Sequence, residues 1–152
     1  KRFFFIKDTS CSAEIIADRL RMLEGSGIKL FNANSATLLE SLRSGAAGYS
    51  GVMANFHPEL YVWLCRTFRD NPDKAEKLQQ LLGVCSMAEY QYYPVNAKYS
   101  LSLQGIEMGI HSRTLDSRGL TDSKRLEIQL LNELSVWARE LFEIEMIRTS
   151  SI

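Results

Sequence analysis

One segment, Lys1-Arg2-Phe3-Phe4-Phe5-Ile6-Lys7, constrains this chain more than any other. Consecutive large apolar residues without alternation read as a strand covered on both faces, the pattern of a parallel sheet. A lysine at the carboxyl end of such a strand, with Asp8-Thr9-Ser10 directly behind it, enters a partly dry site. There the charged form is disfavoured and the neutral amine becomes a nucleophile, which is what Schiff-base chemistry on a carbonyl requires. The plainer reading is a lysine that ends a strand and reaches out to water.

The 152 residues suffice for one domain with a core, and 45% hydrophobic with 24% charged residues is ordinary for a globular protein. Eighteen basic residues balance eighteen acidic ones, so no overall field favours nucleic acid or an anionic membrane. No apolar stretch reaches the roughly 18 residues a bilayer span needs, and no signal-peptide pattern is present. Cys11, Cys65 and Cys85 are odd in number and lack a CxxC pair, which suits a reducing compartment; the expected location is the cytoplasm. The chain opens without Met, within three residues of an apolar strand, so residue 1 is expected not to be the natural start.

Strand and helix signals alternate at first. After the strand Phe3 to Lys7, Ser12 can cap a helix with Ile15, Ile16, Leu20 and Leu23 on one face, stopped by Gly25-Ser26-Gly27. Ile28 to Phe31 reads as a second strand, and Ser35 as the cap of a short helix carrying Leu38, Leu39 and Leu42. A third strand is expected from Ala46 to Val52, its glycines permitting close backbone approach. From Pro58 the pattern is helical: one helix with Leu60, Tyr61, Leu64 and Phe68, another after Asn71-Pro72-Asp73 with Ala75, Leu78, Leu81 and Leu82, and a third between Pro94 and Gln104. Glu107 to Gly119 reads as irregular. Thr121 can cap a final long helix with an apolar stripe of Leu126, Leu130, Leu134, Trp137 and Leu141.

Three strand–helix units make a sheet with two open edges, which is better satisfied inside a larger α/β domain. In a (β/α)8 barrel of about 250 residues, reacting groups gather at the carboxyl ends of the strands. Lys7, Asn32-Ala33-Asn34 and Ser50-Gly51 would all occupy such ends. The expected fold class is therefore α/β: residues 1–57 as the last three strand–helix units of a barrel, 58–147 as its closing helix and a helical region, and 148–152 as a frayed tail.

Four segments in order, Phe5-Ile6-Lys7-Asp8-Thr9-Ser10, Leu30-Phe31-Asn32-Ala33-Asn34, Gly45 to Asn55, and Tyr93-Pro94-Val95-Asn96-Ala97-Lys98 with Leu103-Gln104-Gly105-Ile106, resemble the dihydrodipicolinate synthase / N-acetylneuraminate lyase family. The likeness runs over about residues 3–143 and corresponds to that family's carboxyl-terminal half. It implies a class I lyase or aldolase acting on pyruvate or another 2-oxo acid, with Lys7 forming the imine and no metal or organic cofactor. It also implies that Thr9, the backbone around Ala33, and Ser50 line the substrate site, and that the protein is a homo-oligomer. Where the synthases carry a Gly-Asp-Asp-like turn this chain has Ala33-Asn34-Ser35. Ser35 and Ala36 stand where the sialic acid lyases place acidic residues, and Val52 replaces a serine of theirs. A related 2-oxo acid aldolase or lyase is the implied activity. The family's proton-relay tyrosine and carboxylate-binding threonines belong to regions with no counterpart here, and Tyr49, Tyr61 and Tyr90 lie outside the matching motif. The 152 residues alone are accordingly expected to be inactive without an amino-terminal half-barrel. The alternative is a non-catalytic member whose late helices serve in oligomer contacts.

Other patterns carry less. His57 and His111 lack metal-ligand spacing, and Gly45 to Gly51 lacks the P-loop ending, so close packing accounts for its glycines. Tyr90, Tyr92 and Tyr93 have no interleaved basic residues for nucleic-acid stacking and are expected in core or a subunit contact.

Overall fold

A computed structural model of the chain describes residues 3–145; the expected frayed tail at 148–152 lies outside the described residues. Strand β1 (Phe5–Asp8), helix α1 (Ala13–Leu23), β2 (Lys29–Asn32), α2 (Leu38–Arg43) and β3 (Gly48–Tyr49) alternate first. A 3-10 turn at Val52–Asn55 leads to α3 (Pro58–Thr67), α4 (Pro72–Cys85), α5 (Glu89–Tyr92), α6 (Val95–Leu103) and α7 (Asp122–Phe142). The chain is thus α/β, a three-stranded parallel sheet in the order β1-β2-β3 followed by a helical region. It divides into two compact units, one of Lys1–Val52 with Tyr61–Val84, the other of Met53–Leu60 with Cys85–Ile152.

In the first unit the sheet register pairs Phe5 with Lys29, Lys7 with Phe31, Asp8 with Asn32, and Asn32 with Tyr49. Alternation then sorts the side chains. Asp8, Leu30 and Asn32 face the helices and are buried, with Ile16, Leu30 and Ala46 forming a cluster that Leu20 and Leu23 complete. Phe5, Lys7, Lys29 and Phe31 point the other way; the Phe5 and Phe31 rings meet edge to face at 6.0 Å, yet Phe5 is 63% exposed and both lysines are exposed. Among the described residues only one face carries helices, so the cover expected for the second face is not supplied by these residues. Right-handed crossovers between strands added in one direction put every connecting helix on the same side, so α1 and α2 cannot cover the other.

Local signals placed most helix ends. Ser12 Oγ accepts a hydrogen bond from the Ile15 amide at 3.3 Å and starts α1, and Gly25 at φ 70° lets the chain leave it. Replacing Ser12 by alanine is expected to cost about 1 kcal/mol in urea denaturation. Ser35, in contrast, does not cap α2. The Thr37 amide donates to Asn34 Oδ1 at 3.0 Å, and the Leu39 amide donates to Gln79 Oε1 of α4 at 2.8 Å. Strand β3 is also shorter than Ala46 to Val52. Its pairing reaches only from the Ala47 amide, which donates to Leu30 O at 2.7 Å, to the Ser50 amide, and Val52 already enters the 3-10 turn.

In the second unit α6 packs on α7, whose first turn Thr121 caps through the Lys124 amide. The 107–116 stretch is irregular as expected, ending in a 3-10 turn at Ser117–Gly119. The buried ridge of α7 is Ile128, Leu131, Ser135, Ala138 and Phe142, whereas the stripe Leu126, Leu130, Leu134, Trp137 and Leu141 points outward. Both ridges repeat at helical spacing; the buried one uses small residues where α7 is approached closely.

Candidate active site

A parallel sheet sends the chain out at the carboxyl ends of all its strands on one edge. Ladder bonds continue past the strands there: the Ala33 amide donates to Asp8 O at 2.9 Å and the Ser50 amide to Asn32 O at 2.8 Å. With neighbouring strands about 4.8 Å apart, the ends following Lys7, Asn32 and Tyr49 stand side by side. Of the positions singled out from sequence, Lys7, Ala33 and Ser50 thus share one edge, and Thr9 follows two residues behind Lys7. Lys7, Thr9 and Ser50 are exposed and Ala33 is half-buried. Lys7 projects from the face that carries no helices.

Asp8, the next residue, points into the covered side and anchors the end of β1. Its carboxylate accepts from the Ser10 amide at 2.8 Å and the Ser10 hydroxyl at 2.6 Å, and pairs with the Arg19 guanidinium of α1. Burial opposes its ionisation, but the bonds from Ser10 and the Arg19 charge outweigh that and hold the carboxyl below the usual range. Asn32 does the same for β2. Its amide group donates to Thr37 Oγ1 and Ser41 Oγ at 3.0 and 3.1 Å, and its Oδ1 accepts from the Asn34 amide at 2.7 Å. The loop around Ala33 is therefore fixed from within.

Sequence reasoning missed a hydroxyl cluster beside this edge. Ser35 Oγ bonds Tyr49 Oη and Tyr61 Oη, each at 2.8 Å, and the two phenol rings stack with centroids 4.0 Å apart. Tyr49 shares the covered face with Asn32, so these phenols lie on the opposite side of the sheet from Lys7. A Cβ at Gly51 would overlap both Tyr49 Oη and Ala33 O, which fixes the role of that glycine as close approach. Gly51→Ala is expected to destabilise by about 1–3 kcal/mol, because the obstacle includes backbone; equal melting of the two proteins would refute the packing role.

Among the described residues, no three His, Cys, Asp or Glu side chains gather as a metal site, and no helix is long and apolar enough to cross a membrane. Burial pushes the Cys65 and Cys85 thiols up, away from thiolate reactivity.

Comparison with known proteins agrees with this architecture. The chain is similar to a dihydrodipicolinate synthase from Bacillus anthracis (TM-score 0.77, 19% identity, covering 88% of this chain and 45% of that one). It is also similar to one from Thermotoga maritima (TM-score 0.75, 20% identity, 88% and 46%), and to a monomeric dihydrodipicolinate synthase variant (TM-score 0.75, 20% identity, 88% and 45%). At such identities the likeness establishes the fold, and the chain spans about 45% of the length of these structures. No curated protein matches the sequence. The sequence model of the Dihydrodipicolinate synthetase family matches residues 2–127, most of the chain, and the chain belongs to that family.

Proposed function

We propose that this chain supplies the amine-bearing part of a Schiff-base lyase or aldolase that acts on pyruvate or a related 2-oxo acid. The observation that carries the reading is Lys7 at the carboxyl end of β1, on the uncovered sheet face, beside the strand ends bearing Ala33 and Ser50. Nζ attacks the ketone carbon and water leaves; in cleavage the protonated imine takes the electron pair of the adjacent carbon–carbon bond, and in synthesis it first loses an α-proton to give an enamine whose pair forms that bond. Thr9, the backbone at Ala33, and Ser50 are the proposed contacts to the bound oxo acid.

Imine chemistry needs a site that excludes water, and Lys7 stands on an open face, so turnover requires that the face be covered and dried. The proposed cover is the amino-terminal half of a (β/α)8 barrel, in keeping with relatives about twice as long as this chain. That half would also bring the proton-relay and carboxylate-binding groups, and the assembled protein is proposed to be a homo-oligomer. The exposure of Lys7 in the chain alone favours inactivity of these 152 residues by themselves.

The test is to incubate a protein containing the whole barrel with pyruvate and borohydride and locate the mass increment by peptide mapping. The expected label is on Lys7. A folded protein that takes up none, or takes it up elsewhere, overturns the reading.

A further inference from the structure

Helix α7 carries two apolar ridges, where covering a core requires one. The outward ridge consists of Leu126 (55% exposed), Leu130, Leu134, Trp137 (52%) and Leu141, contiguous over four turns. At 100° per residue these five fall within a sector of about 80°. Exposed apolar residues scattered singly carry no message, but a contiguous ridge marks an interaction site.

The borders of the ridge say what it takes. Asp122, Glu133 and Glu140 lie along one side, and Glu127, whose carboxylate keeps its charge while accepting from Gln91 Nε2 and Ser123 Oγ, lies along the other, all exposed. The three cations of α7 are all turned into their own unit. Lys124 Nζ stands 4.1 Å from the Tyr92 ring centroid, Arg125 lies 5.0 Å over Tyr99, and Arg139 pairs with Glu59 at 2.6 Å. The ridge is therefore bordered by carboxylates with no cation of the helix beside them. We propose that it docks an amphipathic helix of a protein partner whose own apolar ridge is bordered by lysine and arginine.

A second copy using the same ridge is the weaker occupant. Antiparallel or parallel, it would set carboxylate borders against each other, and like charges across an interface select against a pair. Trp137 near the middle is the expected anchor, since buried tryptophan dominates interfaces of this kind. Leu126-Leu130-Leu134 and Trp137-Leu141 run as i±4 rows, so the partner helix is expected to cross at about 50° rather than lie alongside.

Two synthetic helices with one leucine ridge, bordered by lysines in one and glutamates in the other, test this. Each is titrated into the whole chain while tryptophan emission is followed. The lysine-bordered helix is expected to shift emission to the blue and bind at least about tenfold more tightly, weakening several-fold when salt rises from about 50 to 500 mM. Leu130→Asp, on an exposed position that leaves the circular dichroism unchanged, should abolish the shift. Glu133→Lys with Glu140→Lys should narrow or reverse the preference between the two helices. Equal affinity for both, binding to neither, or self-association in sedimentation that Leu130→Asp removes would each overturn the proposal, the last assigning the ridge to a second copy.

Discussion

Lys7→Ala in a protein that contains the whole barrel is expected to lower turnover at least about a thousandfold, roughly 4 kcal/mol of barrier, and to eliminate the borohydride-trapped adduct. The chain offers its own control. Lys29 shares the open face with Lys7, because it pairs with Phe5, two residues before Lys7 on β1. It sits about 6.6 Å nearer the amino ends of the strands, away from the edge where Ala33 and Ser50 emerge. If an amine on that face were all that mattered, the two lysines would be interchangeable; the proposed mechanism makes only Lys7 reactive. Lys29→Ala should therefore keep its adduct on Lys7. Lys7→Arg separates charge from nucleophilicity, since a guanidinium keeps the cation but cannot form the imine. A Lys7→Arg protein that still turns over, or a trapped adduct on Lys29, would sink the assignment. Lys7 is exposed in the chain by itself, so none of these substitutions is expected to disturb folding of this part.

What could be read from sequence divides by the distance over which each contact acts. Ser12, Thr121 and Pro58 announce helix starts because a cap bonds an amide three residues on and proline suits a first turn. The start of α2 escapes local reading because its second cap, Gln79, stands forty residues along the chain in another helix, where no local pattern reaches. The same long range hid the Ser35 cluster, whose partners are 14 and 26 positions away. Ser35 reads locally as a helix cap, and its hydroxyl bonds two phenols instead. On α7 the apolar pattern was correct and the burial was not. Periodicity finds ridges, and the bulkier one is the natural choice for a core, but the buried ridge is the one with Ser135 and Ala138, where Ser135 meets the buried His57 ring. The run Phe3 to Ile6 likewise describes a strand closed on both faces, while the chain's own crossovers close one. The strand-end positions of Lys7, Ala33 and Ser50 were legible because order and spacing along the chain are what a parallel sheet converts into neighbours.

Acid is expected to weaken the second unit through one buried ring. His57 is 1% exposed, and burial pushes its imidazole down to about 4 from an ordinary 6.5. Ser135 Oγ donates its single proton to Leu131 O at 2.7 Å, so at 2.9 Å from His57 it must accept from Nδ1–H. The folded ring is thus the neutral Nδ1–H tautomer, and a second proton would place an ammonium-like charge in a dry site. Between pH 6.5 and 4 the unfolded chain binds that proton and the folded one does not. Stability therefore rises with pH across this window, is fully retained above about 6.5, and falls by about 3 kcal/mol on acidification to pH 4. Carboxylates contribute at the lower end, so the measurement is a difference: urea denaturation of the parent and of His57→Gln, whose amide can still donate to Ser135, at half-unit steps from pH 7.5 to 4. The parent's curve should be the steeper, by up to one proton, or about 1.4 kcal/mol per pH unit. Parallel curves, or a His57 resonance that titrates near 6.5 in the folded protein, would show that the ring is not held in the dry environment that its contact with Ser135 describes.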